Sequence, residues 1–205
     1  LENLYQSGKE WFLQSTLSYP LKETNFRIMV GGERCLQPYS MSVFNISAMS
    51  FGSLSAAAIE ALNQGAKLGG FAHDTGEGAI SPYHKKHGGD LIWELGTGYF
   101  GCRNHDGTFS PEKFAERSRI EQVKMIEIKL SQGAKPGKGG VLPKEKITPE
   151  IAETRDVLMD VDCISPASHS AFTTPREMVQ FWQQLRELSG GKPVGFKLCV
   201  GQPWQ

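Results

Sequence analysis

The sequence predicts an α/β fold, with parallel β/α units forming an incomplete (β/α)8 TIM barrel in which about six of the eight strands are countable. Two observations carry this. From residue 43 onward, short apolar runs alternate with amphipathic stretches of helical period, the pattern of β/α units rather than hairpins. Glycines then follow the strand-like runs: Gly76 and Gly78; Gly96, Gly98 and Gly101; Gly133, Gly137, Gly139 and Gly140. Flexible loops therefore sit at strand C-termini, the face on which a barrel carries its site and lets a ligand approach backbone. Periodicity does not reveal strand order, so a doubly wound open sheet stays as the alternative.

The elements follow in order. Residues 1–8 include Glu2-Asn3-Leu4-Tyr5-Gln6-Ser7-Gly8, which resembles an expression-vector protease scar lacking one Phe, and they are left out of the fold. Residues 9–42 form a lead-in, irregular or hairpin-like from 17 to 42. Residues 43–205 form the N-terminal part of the barrel domain. Its strands are expected at 43–48, 71–73, 91–95, 125–130, 163–164 and 194–200. The first helix places Ile59, Leu62 and Ala66 on one face, with Ser53 or Ser55 as N-cap and Gly69-Gly70 as the stop. Further helices are expected at 111–123, 148–158 and 175–189. The chain stops soon after the sixth strand, as a truncated domain would.

Composition narrows the function. A chain of 205 residues with 39% hydrophobic and 10% aromatic content can bury a sizeable core, which excludes disorder. Lys+Arg and Asp+Glu are 22 each, leaving no basic footprint for nucleic acid or anionic lipid. No apolar run is long enough for a bilayer and no leader is present, so a soluble, cytoplasmic protein is expected. Cys35, Cys102, Cys163 and Cys199 stand singly, as reduced thiols buried like small hydrophobes.

Several motifs fail on context. Gly96-Thr97-Gly98-Tyr99-Phe100-Gly101 has dinucleotide-fingerprint spacing, but turn residues rather than a helix follow it, and Tyr99-Phe100 suits a strand. The 133–139 stretch lacks phosphate-loop spacing and the Ser or Thr for magnesium. His84 and His87 flank two lysines before Gly88-Gly89 and have no acidic third ligand, which favours a solvated loop over a metal site. Ser168 beside His169 is no triad, and no nucleophile elbow exists.

What survives is a set of charged or amide side chains at strand ends and Gly loops: Glu77, Lys129, Gln132, Lys135, Arg155 and Lys197. Lys129 and Lys197 lie inside the apolar runs 126–130 and 194–198, where an ammonium is costly to bury unless an anion or electron-rich ligand meets it. Pairing of a lysine with Glu127, or a position on the wet end of a strand, is the structural alternative.

Three segments carry a resemblance: Ile46-Ser47-Ala48-Met49-Ser50-Phe51-Gly52-Ser53-Leu54-Ser55, Asp74-Thr75-Gly76-Glu77-Gly78 and Ile128-Lys129-Leu130-Ser131-Gln132-Gly133-Ala134-Lys135-Pro136-Gly137. Ile151-Ala152-Glu153-Thr154-Arg155, Ile164-Ser165-Pro166 and Phe196-Lys197-Leu198 continue it in order. Over residues 40–200 the chain resembles the FMN-binding synthase domain of glutamate synthase, most closely the stand-alone glutamate-synthase-like type. The resemblance implies a (β/α)8 barrel with FMN at the strand C-termini, the Ala48-Met49-Ser50 backbone against the flavin, and Lys129 and Lys197 near its pyrimidine side. It also implies catalytic roles for Lys129 and Glu77, with Gln132, Lys135 and Arg155 binding substrate. The implied reaction, part of glutamate biosynthesis, is hydride transfer from reduced FMN to 2-iminoglutarate, formed from 2-oxoglutarate and ammonia. Electrons would come from ferredoxin or an NAD(P)H-linked partner through an iron-sulfur cluster whose ligands lie outside this chain.

Two departures qualify these expectations. The last two β/α units, where such barrels bind the flavin phosphate, are absent, so the fragment is expected to bind FMN weakly, to be inactive alone and to self-associate through uncovered apolar edges. The residues after Gly78, Ala79-Ile80-Ser81-Pro82-Tyr83-His84, differ from those usual in large glutamate synthases. An FMN oxidoreductase for another amine or imine, or a non-catalytic electron-transfer or interaction barrel, therefore stand as alternatives.

Overall fold

The computed structural model describes residues 16–17, 25–130 and 138–199. The lead-in is an antiparallel hairpin of β1 (Arg27–Val30) and β2 (Tyr39–Ser42), paired from Arg27↔Ser42 to Val30↔Tyr39. Helix α1 (Ala56–Gly69) starts where the Ser55 hydroxyl accepts from the Ala58 amide and ends at Gly70, whose left-handed backbone (φ 64°) returns its amide to the Ala66 carbonyl. Ile59 and Ala66 are buried from its inner face.

A parallel sheet follows. Its strands are β3 (His73–Asp74), β4 (Leu91–Leu95), β5 (Val123–Lys129) and β8 (Val194–Lys197), in that spatial order. Between them come α2 (Pro82–Lys85), α3 (Pro111–Ser118), β6 (Gly140–Leu142), α4 (Pro149–Arg155), β7 (Cys163–Ser165) and α5 (Pro175–Leu188). Helices α2 to α5 each open with a Ser or Thr N-cap followed by Pro, whose missing amide costs nothing in a first turn.

The structure corrects four expected elements. The 43–48 run meets the sheet only through Ile46, which bridges in parallel to His73. Val43 and Phe44 are exposed, and the Asn45 side chain bonds Ser42 and Ala72 where a ladder would run. Cys163–Ser165 forms an antiparallel pair with β6 and stays outside the parallel sheet, so β8 pairs directly with β5. Helix α3 stops at Ser118 because Gln122 is already committed to the sheet, accepting from the Leu91 amide at 2.7 Å. Tyr99 and Phe100 lie in a turn, Tyr99 with φ 47°, and both are buried.

The two sheet faces differ in kind. One is apolar: Leu91, Trp93, Leu95, Val123, Ile126, Ile128 and Val194 pack with Phe114 of α3 and Phe181 and Leu185 of α5. Trp93 stacks on Phe114 with ring centroids 5.2 Å apart. The other face becomes charged toward the strand C-termini. In register, Glu94 lies beside Glu127 and Lys129 beside Lys197, and Asp74, two residues behind Glu94 in phase, shares their side.

Candidate active site

The charged face closes into one ion-paired group. The Lys129 ammonium lies 3.2 Å from Glu77 Oε2, to which it donates a hydrogen bond, and 3.3 Å from Glu94 Oε1, at an angle that makes the second a charge contact. Lys197 donates to Glu94 Oε2 at 2.8 Å. The Glu94 side chain is fully buried, while those of Lys129 and Lys197 are 13% and 38% exposed. Lys129 therefore pairs with Glu77 and Glu94 rather than with Glu127. Asp74, Glu94 and Glu127 bring carboxylate oxygens within 4.8 Å of one another. Burial, then repulsion from Glu94 and Glu127, pushes the Asp74 carboxyl well above the usual carboxylate range. For Lys197, burial works toward a lower value, but the Glu94 hydrogen bond and charge outweigh it and raise it.

The loops around this group pack by leaving out side chains. A Cβ on Gly76 would sit 2.4 Å from Ser50 Oγ and 2.7 Å from the Ser50 amide nitrogen. A Cβ on Gly96 would meet Glu77 at 3.0 Å, and one on Gly78 would meet the Arg155 guanidinium at the same distance. The glycines expected to admit a ligand thus also admit protein side chains, which brings Glu77, Arg155 and residues 48–50 together. Ala48, Met49 and Ser50 are half-buried. The Met49 amide donates to Asp74 and its carbonyl lies 3.0 Å from His84 Nε2.

His84 departs from the solvated-loop expectation. It is buried on α2, with Nδ1 accepting from the Ser81 amide at 3.1 Å and lying 2.8 Å from Ser81 Oγ. Those bonds require a neutral ring that donates from Nε2 to Met49. Its neighbour His73 is buried with neither ring nitrogen partnered, their centroids 5.1 Å apart. His169, also missed from sequence, lies under Lys129: Nε2 bonds the Lys129 carbonyl at 2.9 Å and Nδ1 the Tyr99 hydroxyl at 3.0 Å. The signal that could have revealed Glu94 was the one used for the lysines, a charge inside an apolar strand.

Arg155 stands behind the Glu77 loop. It is 4% exposed, donates from Nη2 to the Phe51 carbonyl at 2.8 Å, lies over the Phe100 ring at 5.4 Å, and keeps a buried Nε without a partner. Gln132 and Lys135 lie outside the described residues. Cys102 and Cys163 are buried as expected, whereas Cys35 is half-buried and Cys199 exposed. A cavity of about 740 Å³ beside Tyr39, Asp90, Lys124 and Lys192 opens at the strand N-termini, the opposite end from the ion-paired group.

The buried imidazoles make stability acid-sensitive. Burial draws His73 down to about 4, and burial with repulsion from His73 draws His84 to about 4. Below the ordinary histidine value the unfolded chain takes up protons that the folded rings refuse, so their contribution, full above about pH 6.5, is lost as pH falls toward about 4. Asp74, with its raised value, has the opposite sign and loses stabilisation as pH rises. The His73→Leu variant isolates the first effect: about 2 kcal/mol of the stability difference between about pH 8 and pH 5 should disappear. Urea titration of both proteins at the two pH values checks this, and an unchanged difference would remove His73 from the account.

Residues 14–205 match a family model described as a conserved region in glutamate synthase. The chain belongs to the glutamate synthase family. It is 43% identical over 177 residues to the glutamate synthase large subunit-like protein YerD of Bacillus subtilis (strain 168), covering 85% of this chain and 33% of that protein. It is 33% identical over 155 residues to an archaeal-type glutamate synthase (NADPH) of Thermotoga sp. (strain RQ2), covering 75% and 28% of the two chains. A glutamate synthase large subunit-like protein of Rhizobium meliloti (strain 1021) is 28% identical over 200 residues, covering 94% and 42%. This glutamate synthase family chain thus spans about a third of the length of the first two relatives. Among its described residues no helix is long and apolar enough to cross a membrane.

Proposed function

We propose that this chain supplies one side of an FMN site in a cytoplasmic oxidoreductase that reduces 2-iminoglutarate, formed from 2-oxoglutarate and ammonia, to glutamate. The observation that carries the reading is the pair Lys129 and Lys197, in register on adjoining strands and held on one charged face at the strand C-termini. A sheet charged on one side and apolar on the other, with α3 and α5 packed against the apolar side, supports a barrel whose interior faces the lysines. The donor set fits a flavin, because reduction places negative charge at N1 and C2=O and fixed ammonium groups favour that state. Lys129 and Lys197, with the half-buried backbone at Ala48, Met49 and Ser50, would hold it.

When bound, FMN supplies the hydride. The protein's part is to bind, orient and exclude water. Glu77 keeps Lys129 in place and, still 21% exposed, offers its second oxygen to the N–H of an imine. Gln132, Lys135 and Arg155 are the proposed ligands of the diacid. The orphaned Nε of Arg155 supports a role for that residue, because a buried guanidinium otherwise uses its planar fork fully. Electrons are proposed to arrive from ferredoxin or an NAD(P)H-linked partner.

The test is to incubate the complete protein with 2-oxoglutarate, ammonium and a reduced electron donor and to assay glutamate. Flavin binding without glutamate, but with turnover of another amine or imine, would transfer the site to that substrate. Bound flavin with no turnover would leave a non-catalytic barrel. Arg155→Lys separates two roles for the guanidinium: a carboxylate clamp predicts KM for 2-oxoglutarate raised roughly tenfold with kcat little changed, whereas a prop for Phe51 alone predicts a lower melting temperature at constant KM.

A further inference from the structure

We infer that Glu94 is a positioning residue that sets the flavin's reduction potential by tethering Lys129 and Lys197; the inference rests on the flavin reading above. The two lysines are register neighbours, and like charges placed directly opposite on a sheet repel. Among the described residues Glu94 is the group that touches both. Its Oε2 accepts from Lys197 at 2.8 Å and its Oε1 lies 3.3 Å from the Lys129 ammonium, and its side chain has no exposed surface through which water could share the charge. Among the described residues Glu77 pairs with Lys129 and not with Lys197, and it stays partly exposed. Glu127 and Asp74 lie beside Glu94, Asp74 with its proton affinity raised, so that side adds further acidic groups, and among the described residues Lys129 and Lys197 are the cations paired with Glu94.

A bare ammonium projects a monopole toward the cofactor, whereas one paired at contact distance projects a much weaker dipole. Glu94 therefore permits two lysines to occupy adjacent strand tips and, by the same contacts, limits how far they stabilise the reduced flavin. Replacing its charge while keeping its shape should leave the lysines less neutralised and make the flavin easier to reduce.

The experiment is a potentiometric titration of the complete protein loaded with FMN, as wild type, Glu94→Gln, Glu94→Asp and Lys197→Met. Glu94→Gln should shift the oxidised/reduced equilibrium toward reduced flavin about tenfold, close to 30 mV for a two-electron couple. Glu94→Asp, which withdraws the carboxylate from both ammonium groups, should shift it the same way by less. Lys197→Met should shift it the other way. If Lys197→Met lowers the potential but neither Glu94 variant that folds raises it, the tether is wrong and the flavin reading stands. If wild type takes up no FMN, or Lys197→Met leaves the potential unmoved, the flavin reading fails and the inference with it.

Discussion

Lys129→Met in the complete protein should lower the flavin midpoint potential and reduce glutamate formation by at least about a hundredfold, in the range of losing one preorganised charge in a closed site. The same change should destabilise the fold by about 3–5 kcal/mol, because it strands Glu94, fully buried, with one cation instead of two and removes the hydrogen bond to Glu77. Denaturant titration and potentiometry together test it. A variant as stable as wild type would mean that Glu94 is satisfied by Lys197 alone. A stable variant with unchanged potential would remove Lys129 from the flavin site altogether.

Gly76→Ala should be nearly as damaging although it adds one methyl group. The backbone there has φ 65°, and the new Cβ would stand 2.7 Å from the Ser50 amide nitrogen and 2.4 Å from Ser50 Oγ. The hydroxyl can rotate away; the amide cannot, because Ser50 follows Met49, which is bonded to Asp74 on one side and His84 on the other. Strain and overpacking together predict a loss of about 2–4 kcal/mol. If the proposed cradle is right, flavin retention through gel filtration should also fall, since residues 48–50 must move. Unchanged stability would show that the two loops separate freely. Normal stability with normal flavin retention would exclude residues 48–50 as the cradle.

Much of the fold was legible because it rests on local rules. Leu91–Leu95 is the strand its apolar run predicts, α1 has the cap and stop that Ser55 and Gly70 announce, and α5 follows Thr174-Pro175 as capping chemistry requires. The misread elements are those where tertiary partners override pattern. Residues 43–48 are apolar enough for a strand, but Asn45 diverts the ladder, and the backbone groups of Cys163–Ser165 are taken up by antiparallel pairing with β6 instead of by the parallel sheet. His84 looked wet just ahead of two lysines and a Gly pair, yet a Ser-Pro cap turns it inward onto Met49.

The site divides the same way. The presence of Lys129 and Lys197 in apolar runs, and hence their need for partners, was determined by the linear sequence, since the cost of burying an ammonium does not depend on topology. Which groups answer that need was decided by the tertiary structure alone. Pairing β8 against β5 puts the lysines in register, and pairing β4 against β5 carries Glu94 beneath both, across separations of 35 and 103 residues. Ion pairing is a matter of distances in space, and only the parallel sheet, by placing strands remote in the chain about 5 Å apart, converts scattered charges into one coupled group.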